Sequence, residues 1–210
     1  MGAKIGIDEV GRGCLAGPVT VCAVLITPEF SIPEELPELR DSKKMTVLQR
    51  EAWYRWTRDT GEEKGVRYAV SSVSAAMVDK LNIARASSLA AWRSFEKLME
   101  LSDAGKNLQV VLDGSLFLKN KDFQNSGALE GIEIKTVVGA DSKFTEVKLA
   151  SVLAKVVRDN YMRKMAEEYA DYGFEKHKGY GTRDHIEAIR SKGKIEGFHR
   201  SSFLKNINFC

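Results

Sequence analysis

The sequence predicts an α/β fold with a mixed sheet flanked by helices, and two observations support this. Strand-like runs come early in the chain and then alternate with longer amphipathic runs, as they do in α/β proteins. Three of these strand-like runs, "IGIDE", "VVLDG" and "VVGAD", each stop at an acidic residue. Because α/β sheets assemble their sites at strand ends, the second observation also predicts where the chemistry takes place.

The first elements read as short strands bounded by turn-forming residues. The pattern predicts a strand over Lys4–Asp8 and a second over Pro18–Ile26, which is rich in β-branched residues. A proline-bearing loop ending in "RDSKK" follows, and then a short helix over Thr46–Arg58. Alternation in "GVRYAVSSV" predicts a third strand, and apolar residues at helical spacing predict a helix over residues 82–102.

The second half of the chain alternates strands with helices. "LQVVLDGS" predicts a short strand ending at Asp113, and "IEIKTVVGADS" predicts another ending at Asp141. A long amphipathic helix is predicted over residues 143–170, and its small residues would let it pack closely against a sheet. A last helix is predicted to begin near Thr182, where "KHKGYGTRDHIEAI" becomes helical in pattern.

The composition is that of a chain with one core. With 210 residues, 43% of them hydrophobic, it can bury one core with a small appendage. No apolar run approaches the roughly 20 residues of a membrane span, and we expect no signal peptide. The cysteines Cys14, Cys22 and Cys210 include no Cys-x-x-Cys pair, and the three histidines are scattered along the chain. We therefore expect a cytoplasmic protein without a disulfide framework or a histidine metal cluster.

The net charge of +3 is concentrated at the C-terminal end. From residue 171 onward eight Lys/Arg stand against five Asp/Glu, whereas the first 170 residues hold 24 of each. We expect residues 1–170 to form the main domain and residues 171–210 a basic helical extension packed on it. A basic segment on a neutral body suits a polyanion such as nucleic acid, although a merely solvated surface would have the same composition.

Four carboxylates stand at the ends of the predicted strands, namely Asp8, Glu9, Asp113 and Asp141. Neighbouring strand ends lie about 5 Å apart, so these side chains could share a site. Oxygen ligands without histidine or cysteine suit Mg²⁺ or Mn²⁺, and such clusters serve two-metal phosphoryl chemistry. Consecutive strand residues face opposite sides, so the first two acids share a site only if the strand ends or twists there. The glycines that follow allow this.

Each acid also has a simpler interpretation. Asp141 could cap the long helix, and Asp113 could form an ordinary turn with the glycine after it. The first two acids could pair with Arg12 at the surface. A further acid, Asp159, competes for the fourth ligand position, but we expect it to pair with Arg158 or a nearby lysine. The joint occurrence of acids at three strand ends favours a site.

A nucleotide-binding ATPase is an alternative from another class, because "IGIDE" is similar to the acidic strand end of such enzymes. That class needs G-x-x-x-x-G-K-[ST] to hold phosphates. Neither Gly-Lys pair, at residues 105–106 or 193–194, fits this pattern. The sequence therefore argues against an ATPase.

Candidates for substrate binding are Gly11, Arg12, Gly13, Lys43, Lys44 and Tyr180. The Gly-Arg-Gly segment would allow a close approach to a ligand and offer an arginine to phosphate, or it could be a turn with a surface arginine. The lysine pair could equally be solvated. Tyr180 lies between two glycines and could stack on a sugar or base, or pack internally. We expect His185 and His199 to be hydrogen-bonded structural residues.

Seven motifs in order resemble bacterial ribonuclease HII, namely "GIDEVGRGCLAGPV", "DSKK", "VLDGS", "GADSK", "ASVLAKVVRD", "KGYGT" and "HRSSF". The match runs from Ile5 to about Phe203. The resemblance implies a ribonuclease H-like fold with a small C-terminal helical extension. It also implies a divalent-metal-dependent endonuclease that hydrolyses RNA in RNA–DNA hybrids, including single ribonucleotides in duplex DNA. Such an enzyme uses Mg²⁺ or Mn²⁺ and leaves 3′-hydroxyl and 5′-phosphate ends.

The resemblance also implies residue roles. The four strand-end acids would be the catalytic metal ligands, the Gly-Arg-Gly segment and Tyr180 would read the ribose 2′-hydroxyl at an RNA–DNA junction, and the lysine pair would lie near backbone phosphates. Cys14 stands where a proline is usual, and "GYGT" replaces the common "GYPT", but neither change removes a ligand. We expect a monomer that does not associate with a membrane and has no obligate protein partner. Another nuclease or strand-transfer enzyme of this fold, and a non-catalytic hybrid-binding module, remain the alternatives.

Overall fold

The computed structural model describes residues 2–102, 108–118, 129 and 131–205, and its centre is a five-stranded mixed sheet. The strands are β1 (Lys4–Val10), β2 (Val19–Ile26), β3 (Val66–Val73), β4 (Gln109–Asp113) and β5 (Glu133–Val137). Their order is β3-β2-β1-β4-β5, with β2 antiparallel to both neighbours and β4 parallel to both neighbours. The predicted α/β fold with a mixed sheet is confirmed.

Helices cover both faces of this sheet. They are α1 (Val47–Asp59), α2 (Ala75–Leu81), α3 (Ile83–Glu100), α4 (Thr145–Glu168), α5 (Phe174–His177) and α6 (Arg183–Lys192). Short 3₁₀ turns cover Ser42–Lys44, Glu62–Lys64, Ala140–Ser142, Ala170–Tyr172 and Ser201–Phe203. Within the residues described, no helix is long and apolar enough to cross a membrane.

The helices begin where the sequence supplies caps. Thr46 caps α1 in a reciprocal capping box, because its hydroxyl accepts from the Gln49 N–H and the Gln49 side chain accepts from the Thr46 N–H. Thr182 caps α6 in the same position, with its hydroxyl accepting from the His185 N–H. The predicted helix starts at both places are confirmed to within a residue or two.

Two apolar clusters cover the faces of the sheet. On one face Ile5, Ile7 and Leu112 pack with α3 residues such as Phe95. On the other face, Val24 and its neighbours pack with Trp53 of α1 and with residues of α4. A fully buried side chain of this size contributes roughly 1.5–3 kcal/mol, so the two clusters hold the sheet between its helices.

Helix α4 lies in direct contact with β1 at Gly6. A Cβ atom at Gly6 would lie 2.3 Å from the Glu146 carbonyl carbon and 2.4 Å from the Val147 nitrogen. Farther along α4 the small residues Ala150 and Ala154 are fully buried, as their size predicted. Glycine at position 6 therefore allows the start of α4 to lie directly on β1.

The structure corrects three predictions about the elements. The strand predicted to end at Asp141 ends at Val137, because Gly139 adopts a left-handed conformation (φ 68°) and the Ala140–Ser142 turn follows. The first strand continues two residues beyond Asp8, to Val10. The short helices α2 and α5 were not predicted, since seven and four residues are too few to show a clear helical period.

The segment after α4 packs on the end of that helix and on the loop after β1. Phe174 and Phe198 form an apolar cluster with Met162 of α4 and with Ala16. Arg200, one of the eight basic residues after position 170, is fully buried, so the basic surplus does not lie wholly on the surface. The division at residue 170 stays a prediction, and residues 206–210, including Cys210, lie outside the described chain.

We expect Gly6→Ala to destabilise the protein strongly, because the new methyl group would collide with helix backbone rather than with a movable side chain. Overpacking of this kind typically lowers the free energy of unfolding by about 1–3 kcal/mol. Because the new methyl group would meet backbone atoms, we expect a loss at or above the upper end of that range. Urea unfolding measures the change. Gly13→Ala is the matched control, since a Cβ there meets no atom within 4 Å. Equal stability of the two variants would contradict the close packing of α4 on β1.

Candidate active site

A cleft of about 230 Å³ lies at the end of the sheet where β1 and β4 finish side by side. All four strand-end acids line it, and so do most of the predicted substrate-binding residues. Its lining residues are Asp8, Glu9, Val10, Gly11, Arg12, Gly13, Ser42, Lys43, Asp113, Asp141, Ser151, Lys155 and Tyr180. The structure therefore brings together acids that lie more than 130 positions apart in the sequence.

Different elements supply the four carboxylates. Asp8 and Glu9 are near the end of β1, Asp113 is the last residue of β4, and Asp141 lies in the turn after β5. Asp8 forms a side-chain hydrogen bond with Ser151 of α4, whereas Glu9 pairs with Arg12. The cleft crosses the end of the strand and so receives both side chains. That arrangement answers the geometric objection to two consecutive acids in one site.

Asp8 is the most deeply buried of these acids, with 5% of its surface exposed. Burial raises its pKa to about 8, the hydrogen bond from Ser151 opposes this shift, and the charges of Glu9 and Asp113 add to it. The Glu9 N–H also donates to Asp8 Oδ1 at 2.7 Å. In the described part of the chain, the charges that act most strongly on Asp8 are those of two other acids, so an external cation would relieve their repulsion.

Glu9 is only partly neutralised. Burial raises its pKa, the nearby Arg12 guanidinium lowers it, and the charge of Asp113 raises it again. Arg12 Nη1 lies 3.4 Å from Glu9 Oε1, whereas Glu9 Oε2 is buried without a hydrogen-bond partner in the described structure. The predicted pairing with Arg12 is therefore present for Glu9 and absent for Asp8. A buried carboxylate oxygen without a donor is an available ligand for a cation.

Asp113 and Asp141 face the cleft from the other side. The Ala140 N–H donates to Asp113 Oδ1 at 2.5 Å, which joins the end of β4 to the turn that carries Asp141. Burial, followed by the charge of Asp113, raises the pKa of Asp141. The cap of α4 is Phe144, which makes no side-chain cap bond, so the interpretation of Asp141 as a helix cap is wrong. Asp113 does precede a turn, at Gly114 (φ 62°), while its side chain also faces the cleft.

These donors fit a hard divalent cation. All four are carboxylates, burial and neighbouring acids raise the pKa of three of them (Asp8, Glu9 and Asp141), and Glu9 keeps one unpartnered oxygen. In the described part of the chain, no three Asp, Glu, His or Cys side chains already stand close enough to form a ligand set. Like charges without a cation repel one another, so binding must draw the carboxylates together.

A larger cavity of about 470 Å³ is also lined by acids, namely Glu29, Glu35, Glu62 and Glu63. Those residues are exposed to solvent, and a hydrogen bond with Thr27 lowers the pKa of Glu29. Exposed carboxylates are stabilised by water and need no cation. The cleft at the end of β1 differs because Asp8 is buried there and burial raises the pKa of Asp8, Glu9 and Asp141, which favours it as the functional site.

Two buried arginines hold the loop that carries the Gly-Arg-Gly segment. Arg158 of α4 donates to the carbonyls of Pro18 (3.0 Å), Ala16 (3.1 Å) and Lys178 (2.8 Å). Arg200 donates to the carbonyls of Arg12 (2.8 Å) and Gly17 (2.9 and 3.1 Å). Both side chains are fully buried. The loop is thus held from its inner side by charged donors.

The two glycines of this segment, Gly11 and Gly13, differ in the space that a side chain would have at each position. Gly11 has φ 81°, and a Cβ there would lie 2.1 Å from Arg158 Nε, so the guanidinium occupies the space of a side chain. A Cβ at Gly13 would meet nothing within 4 Å. Gly11 therefore serves internal packing, whereas Gly13 leaves open space beside the cleft for a ligand.

The predicted aromatic residue and only one of the two predicted lysines line the cleft. Tyr180 is 39% exposed, and its ring centroid lies 5.8 Å from Arg158 Cζ. Its hydroxyl is joined by a hydrogen bond to the Cys14 side chain. Lys43 lines the cleft, whereas its neighbour Lys44 is exposed and does not. Tyr180 therefore combines a partly exposed ring with side-chain contacts to Arg158 and Cys14.

Sequence reasoning missed a row of polar residues on α4. Ser151, Lys155 and Asp159 follow one another at intervals of four, which places them on one face of the helix. Ser151 and Lys155 line the cleft, and Lys155 Nζ lies 2.6 Å from Asp159 Oδ1. The expectation that Asp159 pairs with Arg158 or a nearby lysine is confirmed, and the partner is Lys155. The four-residue spacing within an apolar helix was the signal that could have revealed this row.

The family model described as Ribonuclease HII matches residues 5–206, which is nearly the whole chain. The chain belongs to the ribonuclease HII family. Membership makes it a ribonuclease H enzyme, an endonuclease that cleaves the RNA of RNA–DNA hybrids.

Individual relatives agree with this assignment. The chain is 43% identical to ribonuclease HII of Fusobacterium nucleatum over 203 residues, covering 97% of this chain and 86% of that protein. It is 39% identical to ribonuclease HII of Treponema denticola over 211 residues, covering 96% and 98% respectively. The motif resemblance noted in the sequence is thereby confirmed.

Solved structures show the same fold. The PCNA:RNase HII complex from Archaeoglobus fulgidus matches with a TM-score of 0.67 and 25% identity, over 94% of this chain and 93% of that one. Ribonuclease H2 from Pyrococcus horikoshii matches with a TM-score of 0.68 and 23% identity, over 97% and 100%. Bst-RNase HIII in complex with Mn²⁺ matches with a TM-score of 0.66 and 20% identity, over 96% and 67%.

Asp8→Asn should stabilise the chelator-treated protein, and more so at pH 8 than at pH 5. The unfolded chain releases the Asp8 proton near pH 4, whereas the folded protein retains it up to about pH 8. Stability is therefore lost as the pH rises through this range, by up to about 1.4 kcal/mol per pH unit. We expect a gain of roughly 1–4 kcal/mol at pH 8, measured by urea unfolding with EDTA.

Glu29→Gln is the control for this measurement, because Glu29 is an exposed acid whose pKa is lowered rather than raised. It should give no gain in stability at either pH. If Asp8→Asn changed the free energy of unfolding equally at both pH values, the buried charge of Asp8 would not be a source of instability.

Proposed function

We propose that this protein cleaves the RNA strand of RNA–DNA hybrids and also cuts at single ribonucleotides in duplex DNA. In this proposal two divalent cations, Mg²⁺ or Mn²⁺, are held by Asp8, Glu9, Asp113 and Asp141, and the products carry 3′-hydroxyl and 5′-phosphate ends. The observation that carries the proposal is the convergence of four buried or partly buried carboxylates in one cleft, where burial raises the pKa of Asp8, Glu9 and Asp141.

The protein's own contribution at the acids is to hold the ligands in place. Ser151 and the Glu9 N–H donate to Asp8, and the Ala140 N–H donates to Asp113 Oδ1, so donors at the cleft orient both carboxylates. Divalent cations bound there supply activation of a water and stabilisation of charge on the leaving oxygen. Bst-RNase HIII, which shares this fold, forms a complex with Mn²⁺, and this supports a cation of the same class here.

Recognition of ribose is proposed for the Gly-Arg-Gly segment together with Tyr180. The open space beside Gly13 would let a sugar approach the backbone, and A-form-like hybrids present their 2′-hydroxyls in a wide minor groove. The partly exposed ring of Tyr180 lies on the same cleft and offers a stacking face. We propose that this ring contacts the sugar next to the ribonucleotide, at the RNA–DNA junction.

Phosphate binding is proposed for the cations at the rim of the cleft. Arg12, Lys43 and Lys155 line it, and Lys155 is held toward it by Asp159 at 2.6 Å. Arginine offers a fork to phosphate and lysine a point charge, so the three would hold the backbone on both sides of the cut. Lys44, which lies outside the cleft, would contribute through its charge alone.

The decisive test uses a DNA duplex with a single ribonucleotide, incubated with Mg²⁺, Mn²⁺ or EDTA. Cleavage at one site, with 3′-hydroxyl and 5′-phosphate ends and complete inhibition by EDTA, would support the proposal. Tight binding without cleavage under all conditions would indicate a hybrid-binding module. Cleavage elsewhere in the duplex would indicate a different nuclease of this fold.

Asp113→Asn should abolish cleavage while leaving hybrid binding nearly unchanged. It removes a proposed metal ligand but keeps the size of the side chain and the contacts made elsewhere in the cleft. We expect turnover to fall by about two orders of magnitude or more, as when a group that acts in the transition state is lost. Glu133→Gln, which alters an exposed acid on β5, is the control and should cleave normally. Normal turnover of folded Asp113→Asn would remove Asp113 from the site.

Tyr180→Ala should lower kcat/KM on a single-ribonucleotide duplex by about tenfold or more, because base or sugar stacking contributes roughly 1–3 kcal/mol. The loss should be smaller on a long uniform hybrid, which has no junction to read. Tyr180→Phe keeps the ring and should lose only modestly. An equal loss on both substrates, or no loss on either, would make Tyr180 a packing residue.

Lys43→Met and Lys44→Met form a matched pair that tests phosphate contact. The two residues are adjacent and chemically identical, but only Lys43 lines the cleft. Loss of one phosphate contact should reduce the slope of log K against log salt by about 0.9 on a B-form duplex. We expect this change for Lys43→Met and a smaller one for Lys44→Met. Equal slopes for the two variants would show that position relative to the cleft does not matter.

A further inference from the structure

All three histidines of the chain lie in one buried cluster, although the sequence scatters them. His177, His185 and His199 are only 8%, 0% and 1% exposed. The rings of His177 and His185 stack at 4.2 Å, and those of His185 and His199 lie 5.3 Å apart. Residues that are far apart in the sequence therefore meet in the fold, and the expectation of hydrogen-bonded structural roles for His185 and His199 fits this cluster.

The hydrogen bonds of two of these rings run in series and end at Tyr180. The Ile195 N–H donates to His199 Nδ1 at 2.8 Å, so His199 carries its proton on Nε2. That Nε2–H faces His185 Nε2 at 3.1 Å, which must then accept. His185 therefore carries its proton on Nδ1 and donates it to the Tyr180 carbonyl at 2.9 Å. Each bond in the series determines the tautomer of the next ring.

The third ring holds the other side of Tyr180. The Gly179 N–H donates to His177 Nδ1 at 3.1 Å, so its proton lies on Nε2, which donates to the Tyr172 carbonyl at 2.6 Å. The two stacked rings thus bind the N–H just before Tyr180 and the carbonyl of Tyr180 itself. Every ring nitrogen of the cluster has a partner, and none faces the acids of the cleft.

Neutral imidazole suits this place for a chemical reason. It is the side chain that accepts at one edge and donates at the other without a charge, so it can satisfy two buried backbone groups at once. Burial lowers the pKa of His185 and of His199 to about 4 and also lowers that of His177. A proton added to His185 Nε2 would face the Nε2–H of His199. All three rings are therefore neutral near pH 7.

The cluster also connects the two segments that pair with the loop after β1. Cys14 and Tyr180 form one isolated antiparallel bridge, and Ala16 and His199 form another. The His185–His199 bond connects the far ends of these two bridges. The position of Tyr180 relative to the loop is therefore set from both sides.

We infer that His177, His185 and His199 are positioning residues for Tyr180, whose ring they hold at the cleft through the backbone on either side of it. This inference rests on the proposed function, because it assigns Tyr180 to the RNA–DNA junction. The histidines do not contact substrate in this account. Their loss should therefore affect the choice between substrates and leave cation binding by the acids unchanged.

The tautomers give a direct spectroscopic test on the unaltered protein. Long-range ¹H–¹⁵N correlation spectra at pH 7 should show three neutral rings, with His185 protonated on Nδ1 and the other two on Nε2. A charged His185, or one protonated on Nε2, would overturn the series of hydrogen bonds. This result does not depend on activity or on any variant.

Two substitutions at one position then separate hydrogen bonding from packing. His185→Phe keeps a ring between its neighbours but cannot donate to the Tyr180 carbonyl. His185→Asn loses the ring but keeps an N–H near the position of Nδ1. The measurement is the ratio of kcat/KM on a single-ribonucleotide duplex to that on a long hybrid, with thermal unfolding recorded for both variants.

We expect the ratio to fall about threefold to tenfold in His185→Phe, as for the loss of one hydrogen bond, and to be largely kept in His185→Asn. If the role of His185 were packing alone, the ratio would fall more in His185→Asn than in His185→Phe, because phenylalanine fills the cavity better. An unchanged ratio in folded His185→Phe, or an equal fall in His185→Asn, would overturn the inference. If His185→Phe does not fold, the inference is tested by the tautomers in the unaltered protein and by the ratio of kcat/KM values in His185→Asn. A different tautomer, or a fall in that ratio, would overturn it.

Tyr180→Ala distinguishes failure of this inference from failure of the proposed function. If Tyr180→Ala leaves the ratio unchanged, Tyr180 does not read the junction and the proposed function fails at that residue. If Tyr180→Ala lowers the ratio while His185→Phe does not, the proposed function stands and the positioning role of the histidines fails.

Discussion

The hydrogen bonds of the buried Arg158 are the constraint on which the substrate side of the cleft depends. A guanidinium removed from water is strongly unfavourable unless its donors are used, and Arg158 uses them on three backbone carbonyls. Those carbonyls belong to two segments far apart in sequence, the loop after β1 and the turn before Tyr180. Because the same side chain fills the space beside Gly11, the loop, the turn and α4 have one compatible arrangement.

Charge is distributed in the molecule so that the acids of the cleft are only partly neutralised, although Glu9 pairs with Arg12. The two fully buried arginines lie close to the cleft, yet their hydrogen bonds go to carbonyl oxygens rather than to carboxylates. Asp8 consequently has its pKa raised to about 8 by burial, with further contributions from neighbouring acids. Within the described residues Asp8 forms no salt bridge that would stabilise the fold, and the site retains an affinity for external cations. Function and stability therefore oppose each other at the end of β1.

The strongly periodic elements could be predicted from the sequence, and the short ones could not. The capping residues Thr46 and Thr182 and the long apolar stripe of α4 are local signals, and they gave helix starts within one or two residues. Helix α5 has four residues, and the position of Asp141 depends on a left-handed glycine. The acids themselves were found because parallel strands end at one edge of a sheet, so a pattern along the chain implied a meeting in space.

The α/β class, the order of most elements and a carboxylate site suited to hard cations could be predicted from the residues alone, because these follow from periodicity and side-chain chemistry. The tertiary structure was needed to show that Lys43 lines the cleft and Lys44 does not, since two adjacent lysines are chemically the same. It also decided that three scattered histidines meet and that Arg158 bonds a carbonyl 140 positions away. Such contacts depend on how whole elements pack against one another, and no local pattern records that packing.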